Sequence, residues 1–300
     1  MNQIGDRSKE LEWTGERYVP FVHGDIEIEH LHRYAFAREF VLQKDVLDIA
    51  SGEGYGSYLL AGGARTVIGV DISKDAVLHA QTKYVAPNLQ FRHGDCRCIP
   101  LDNNSVDIVI SFETIEHHDQ HDVMLAEIKR VLRLGGMLII STPERDFDEA
   151  CIQKRNDFHV KELSQLEFRT LLLCYFRNIK LVGQRVRYGS LISPIDSSEE
   201  GQQFSFHSGT SASVVSQLID PNPLFLIAFA SESSIGFQKA SFFDGTDFLS
   251  HAMASLRLDR DALRTEVDRV KQTLSWRFTK PFRYFWNMVR RFLGNRVENN

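Results

Sequence analysis

At 300 residues and 43% hydrophobic content, the chain has the length and apolar mass for one large α/β domain with appendages. A formal charge of −5 argues against the broad basic surface that nucleic-acid binding usually requires. No run of eighteen apolar residues occurs, which excludes a membrane-spanning helix, and the four cysteines lack the CxxC pairing of a metal site.

Residues 1–45 read as an N-terminal cap, helical over Asp25 to Val41, where acidic, apolar and basic residues alternate. Met1 to Gly15 is polar and partly acidic, unlike a secretory leader. A short apolar strand, Val46 to Ile49, then runs into a turn bearing Gly52, Gly54 and Gly56. The turn opens the helical segment around Tyr58-Leu59-Leu60, and a second strand, Val67 to Val70, ends in Asp71. Strand, glycine turn, helix, strand and terminal acid is how α/β proteins hold a nucleoside: the glycines admit the ligand to the backbone, and the acid accepts from its ribose hydroxyls. A dinucleotide turn reads G-x-G-x-x-G, whereas here the spacing is G-x-G-x-G with Ser57 following. Asp48 and Glu53 put two carboxylates near the turn, which favours a cationic ligand over a pyrophosphate.

At these residues the chain resembles the class I S-adenosylmethionine (AdoMet) methyltransferases, whose first motif is E/D-x-G-x-G-x-G. Asp48-Ile-Ala-Ser-Gly-Glu-Gly stands in that register, with Ala50 and Gly52 at the first two glycine positions. Further motifs follow in order. Val67-Ile-Gly-Val-Asp71-Ile72-Ser is the second. Phe91-Arg-His-Gly-Asp95-Cys96 is the third, after a helical stretch over Lys74 to Tyr84. Val106-Asp107 through Phe112-Glu113-Thr-Ile-Glu116-His117-His118 is the fourth. A helix with Met124, Leu125, Ile128, Val131 and Leu132 on one face comes next, and it is expected to stop at Gly135 before a strand from Met137 to Pro143. A helix over Lys161 to Cys174 and a strand over Ile179 to Val186 come after. The apolar segment Leu224 to Ala230 matches the antiparallel strand that the resemblance implies beside the sixth.

The expected fold is α/β: a doubly wound, seven-stranded, mostly parallel Rossmann-like sheet with an N-terminal helical cap and a C-terminal helical tail. The expected division is a cap over 1–45, a catalytic domain over 46–233 with a loop insertion at 196–222 rich in Ser, Gln, Glu and Gly, and a tail over 245–300.

In the tail, Leu249, Met253, Leu256, Leu263, Val267, Val270 and Leu274 fall on three- and four-residue steps, a short heptad seam that opens homo-oligomerisation. Residues 271–300 carry seven Lys/Arg against one Glu, with seven aromatics, and the stretch Trp276 to Leu293 suits an anionic membrane surface. A docked helix remains the alternative. The phrase LSWRFTKPFR resembles a tail on enzymes of bacterial surface-polysaccharide assembly. WTGERYVP…EHLHRYAFA resembles the leader of methyltransferases acting on O-antigens and related glycans, a likeness that extends to Asp157-Phe-His159-Val-Lys-Glu-Leu163.

The resemblance implies AdoMet as cofactor, held by Gly52, Gly54, Asp71, Ile72, Asp95, Cys96, Asp48 and Phe112, with Arg33 a partner for its carboxylate or else a surface ion pair. Methyl transfer to a hydroxyl profits from a base, and His117 and His159 are the candidates because imidazole titrates near neutrality. His30 and His32 read as structural. His117, His118, Asp119, His121 and Asp122 could ligate a metal, but a solvated helix N-terminus explains that acidic loop as well, and no metal is assigned. The expected acceptor is a sugar hydroxyl of a bacterial surface glycan or its lipid-linked precursor, on a cytoplasmic protein peripheral to the inner face of the membrane and without nucleic-acid partners. A small lipid-soluble acceptor such as a quinone precursor is the alternative. A non-catalytic AdoMet-binding scaffold stands third and a nucleotide-dependent oxidoreductase fourth.

Overall fold

The computed structural model describes residues 18–20, 24–148, 158–187, 206–210, 213–217, 223–236, 240–273, 276 and 278–279. The opening polar stretch, Leu274, Asp157 and nearly all of the basic aromatic segment therefore lie outside the described residues. Residues 1–243 and 244–300 form two compact units.

The first unit is built on seven strands: β1 Asp45–Ile49, β2 Thr66–Asp71, β3 Leu89–His93, β4 Val106–Ser111, β5 Leu132–Pro143, β6 Asn178–Gln184 and β9 Phe225–Ser231. Their order in the sheet is β3-β2-β1-β4-β5-β9-β6, parallel except for β9, which pairs antiparallel with both β5 and β6. This is the expected seven-stranded Rossmann-like arrangement. The central strands β1 and β4 are mainly apolar, each interrupted by an Asp (Asp48, Asp107), because helices cover both faces. Alternation then divides them. Leu47, Ile49 and Val109 face a cluster with Met124, Leu125, Ile128, Phe168 and Leu172. Val46, Ile108 and Ile110 face the opposite cluster with Tyr34, Phe36, Leu60 and Phe229.

The helices follow their end signals. α1 Asp25–Arg38 lies within the predicted cap helix, and α2 Tyr55–Ala61 starts at the glycine turn. α3 Lys74–Lys83 is capped by the Ser73 side chain, which accepts from Ala76 N. α4 His121–Val131 buries Met124, Leu125, Ile128 and Val131. α5 Arg145–Asp148 is a single turn, and α6 Gln165–Leu173 opens on a capping box between Ser164 and Glu167.

Two expectations are corrected. The helix before the Gly-Gly pair does not continue to Gly135; it ends at Val131, and Leu132 already pairs with Val106 in the sheet. The glycines serve a register shift in β5, where Gly135 takes φ +77°. The insertion at 196–222 is not all loop. Phe206–Thr210 (β7) and Ser213–Gln217 (β8) form an antiparallel hairpin, helped by the β-branched pair Val214-Val215.

The second unit contains α7 Thr246–Gln272, 27 residues long. Of the heptad positions, Met253, Leu256, Leu263, Val267 and Val270 are all exposed. No helix among the described residues is long and apolar enough to cross a membrane.

Candidate active site

The sheet order reverses between β1 and β4, and in open α/β sheets ligands bind in the crevice beyond the strands' carboxyl ends at such a point. The turn after β1 forms its floor. Ala50, Gly52 and Gly54 all take positive φ, at 59°, 57° and 100°. At Gly54 a side chain is excluded twice: its φ favours glycine, and a Cβ would lie 2.7 Å from Ala80 Cβ and 3.0 Å from the Phe91 ring. At Gly56 a Cβ would fall 2.0 Å from the Tyr34 ring, so α1 rests directly on the start of α2.

Asp71 ends β2 at the rim. Its Oδ2 accepts from Gly52 N and its Oδ1 from Ser73 N, both at 2.8 Å. These bonds lock the carboxylate and the glycine turn together. Ile72 beside it is largely exposed, available as a flat apolar flank. Phe112, at the end of β4, is buried edge-on against Tyr34 with centroids 5.1 Å apart.

Asp48 does not line the crevice, contrary to expectation. It is fully buried on the α1/α2 side of β1, accepting from Ser57 Oγ at 2.6 Å and from Tyr34 Oη at 3.2 Å. Burial pushes its carboxyl up to about 7, against the opposing pull of those hydroxyls. Its role is to pin the turn from beneath. Glu53 likewise turns away from any cationic ligand. It is buried and engaged by His79 at 2.9 Å, Lys83 at 2.6 Å and Tyr84 Oη at 2.6 Å, so its charge is already matched.

Arg33 is not a surface ion pair. Only 2% exposed, it donates from Nη1 to Gln184 Oε1 at 2.8 Å, approaches Glu113 Oε1 at 3.8 Å and lies over Phe225 at 4.7 Å. Its Nε is buried with no hydrogen-bond partner among the described residues, a donor suited to a ligand's carboxylate. Gln184, which fixes Arg33, carried no motif in the sequence. His30 Nδ1 lies 2.8 Å from Tyr55 Oη, a contact between α1 and the start of α2.

Asp95 is gripped by Arg97, with Nε 2.9 Å from Oδ1 and Nη2 2.5 Å from Oδ2, and that guanidinium holds its carboxyl at about 2. Burial and the neighbouring Asp95 push the Cys96 thiol up to about 12, so it stays protonated beside His118 Nε2 at 3.6 Å.

The two candidate bases converge. His117 ends a 3-10 turn, Ile115–His117, and its ring stands edge-on to that of His159, centroids 5.3 Å apart. His117 Nδ1 lies 3.3 Å from the Phe158 carbonyl, and His159 Nδ1 lies 2.6 Å from Glu162 Oε1. The loop carrying His159 is pinned by Val160 N and Lys161 N, which donate to the Glu116 carbonyl at 2.8 and 3.1 Å. The metal set considered on the acidic loop is divided: His118 turns toward Cys96 and Met124, and its ring stands edge-on to that of His121.

Glu116 was missed. Its side chain is fully buried; Oε2 accepts from Thr142 Oγ1 at 3.3 Å, and Oε1 has no hydrogen-bond partner among the described residues. Burial first, and the charge of Glu113 second, push its carboxyl well above the usual range. A carboxylate oxygen of Glu116 and one nitrogen each of His117 and His159 lie within 4.8 Å of one another. The sequence signal was the spacing Glu113-x-x-Glu116-His117 just after β4.

Comparison with known proteins gives this geometry a class. Residues 47–140 match the family described as Methyltransferase domain. A probable S-adenosylmethionine-dependent methyltransferase of Mycolicibacterium smegmatis is 37% identical over 165 residues, 54% of this chain and 63% of that protein. A fatty-acid O-methyltransferase of the same organism is 29% identical over 131 residues, covering 41% of this chain and 48% of that one. The chain thus spans less than two thirds of these relatives' length. Among solved structures, a SAM-dependent methyltransferase of Thermotoga maritima, described as a possible histamine N-methyltransferase, superposes with TM-score 0.50 at 18% identity, covering 69% of this chain and 91% of that one. The fold is that of the AdoMet-dependent methyltransferases, and residues 47–140 match the methyltransferase-domain family. The glycine cradle, the Asp71 rim and the buried Nε of Arg33 fit AdoMet, the cofactor of such a domain.

Proposed function

We propose that the chain transfers a methyl group to an oxygen of its acceptor. When bound, AdoMet supplies a methyl already activated by its sulfonium, so the chain's own residues have chiefly to position, desolvate and handle one proton. Gly52 and Gly54 admit the nucleoside to the backbone. Asp71 accepts from its ribose hydroxyls, and Arg33 meets its carboxylate. The observation that carries the choice of an oxygen acceptor is the His117–His159 pair, held face to edge after β4 with Glu162 on His159 Nδ1. A carboxylate on Nδ1 fixes the tautomer and orientation of the imidazole, the arrangement a general base requires.

For the acceptor, a sugar hydroxyl on a surface glycan or its lipid-linked precursor is the first reading, supported by the leader and tail resemblances. A second reading is a lipid oxygen. It is favoured by the fatty-acid O-methyltransferase and by a phthiotriol/phenolphthiotriol dimycocerosates methyltransferase of Mycobacterium leprae, 30% identical over 134 residues. The basic aromatic segment would hold either substrate's membrane close, and the exposed heptad positions of α7 support pairing of two copies. The deciding experiment is transfer of radiolabelled methyl from AdoMet to envelope extracts, followed by separation of glycan from simple lipid. Label in neither fraction overturns the oxygen-acceptor reading.

A further inference from the structure

We propose that Glu116, His117 and His159 form a divalent-cation site that binds the acceptor oxygen. Three observations converge on it. The donor atoms lie within 4.8 Å of one another, close enough for a small inward movement of the side chains to bring all three onto one ion. The Glu116 side chain is fully buried, and its Oε1 finds no hydrogen-bond partner among the described residues, a costly arrangement that an ion would relieve. Both imidazoles are also held at one nitrogen, His159 Nδ1 by Glu162 Oε1 at 2.6 Å and His117 Nδ1 by the Phe158 carbonyl at 3.3 Å. A carboxylate or carbonyl on the far nitrogen is the usual support of a metal-binding histidine.

Two imidazoles and one carboxylate suit Zn²⁺, Mn²⁺, Fe²⁺ or Co²⁺ better than Ca²⁺. Three protein ligands leave positions open for a substrate oxygen. In its catalytic part the proposal rests on the methyl-transfer reading. The ion binds the acceptor hydroxyl and lowers its pKa, and the hydroxyl proton leaves to solvent. The oxygen then forms a bond to the methyl carbon as the carbon–sulfur bond breaks, and the sulfonium becomes a neutral thioether. With the ion bound, the two imidazoles act through it in place of the direct-base role given to them above, and turnover that survives the chelator returns them to that role.

The test uses the full chain, free of any histidine tag and stripped with a chelator. Co²⁺ is titrated in and its visible absorption followed, then Zn²⁺ is added in competition. One equivalent per chain is expected, displaced by Zn²⁺. His117→Gln and His159→Gln should each weaken Co²⁺ by at least about tenfold, and Glu162→Gln by about ten- to hundredfold, the range for orienting groups. His93→Gln, on β3, should leave it unchanged. In the unaltered chain, imidazole nitrogen NMR should show two histidines shifting with Zn²⁺, which removes any dependence on how the variants fold. Absence of stoichiometric binding, or shifts in histidines other than 117 and 159, overturns the site. AdoMet calorimetry runs alongside. If AdoMet fails to bind while Co²⁺ binds, the methyl-transfer reading falls and the cation site stands. If Co²⁺ binds but a chelator leaves turnover intact, the site stands and its catalytic role falls.

Discussion

Replacing Asp71 tests the crevice at its rim. The carboxylate accepts two backbone N–H groups at 2.8 Å, from Gly52 on the turn and Ser73 at the cap of α3, and is only 5% exposed. Asp71→Ala strips both amides of a charged acceptor and removes the group that would meet the ribose. A hydrogen bond to a charged group contributes about 1.5–3 kcal/mol, so losing even one ribose contact lowers AdoMet affinity about ten- to hundredfold. The amides add a stability cost of about 1–3 kcal/mol where burial denies them water. Asp71→Asn should rescue little, because its single carbonyl oxygen cannot serve both sides and its NH₂ must oppose a backbone donor. Calorimetry gives the affinity, and thermal melting gives the stability. AdoMet affinity within about twofold of the unaltered chain, with the melt intact, would refute the assignment of the crevice as the AdoMet site.

Gly54→Ala should destabilise the domain by about 1–3 kcal/mol, read by urea unfolding, because the new Cβ meets Ala80 at 2.7 Å in a backbone that disfavours it. Asp48 is raised in the fold to about 7 from an ordinary 3.8, so the native state binds its proton more tightly. Its contribution is full below about pH 4 and is lost as pH rises through 7; the stability difference between the native chain and Asp48→Asn, measured from pH 4 to 8, should show that slope. His117→Ala and His159→Ala should cut turnover by about 10²- to 10⁴-fold with AdoMet affinity retained, and near-full turnover in both would remove them from the chemistry. The full chain should co-sediment with anionic liposomes at low salt and be released as salt rises, each Lys or Arg near the surface contributing about 1 kcal/mol, whereas a chain ending near residue 270 should stay in solution.

The sheet was legible because its strands are buried on both faces and so read as mainly apolar runs: Val46 to Ile49 and Val106 to Ile110, each interrupted by a single Asp, need no partner to be recognised. Asp71 was legible for a related reason, since it ends such a run at fixed distance from the glycines. Asp48 and Glu53 were misjudged because a carboxylate near a turn in sequence says nothing of which face of the strand it occupies. Alternation carries Asp48 to the α1/α2 side, and His79, Lys83 and Tyr84, all from α3 and its end, claim Glu53. Glu116 escaped notice because its meaning depends on His159, which a loop brings back from 43 residues later, and on a 3-10 turn too short to leave a periodic signal. The hairpin β7–β8 hid in a composition rich in Ser and Gln that reads as loop.

The insertion of β9 between β5 and β6 has a consequence for how the chain is made. Strand β5 is complete at Pro143, yet its outer neighbour begins only at Phe225, so a growing chain holds an open strand edge while more than eighty further residues are added. β6 emerges earlier, but it pairs with β9 and must wait for it as well. An unpaired apolar edge is a template for the wrong partner. The final seven-residue strand closes both gaps at once, and premature release before Phe225 leaves a nascent chain whose remaining surface invites aggregation and chaperone capture.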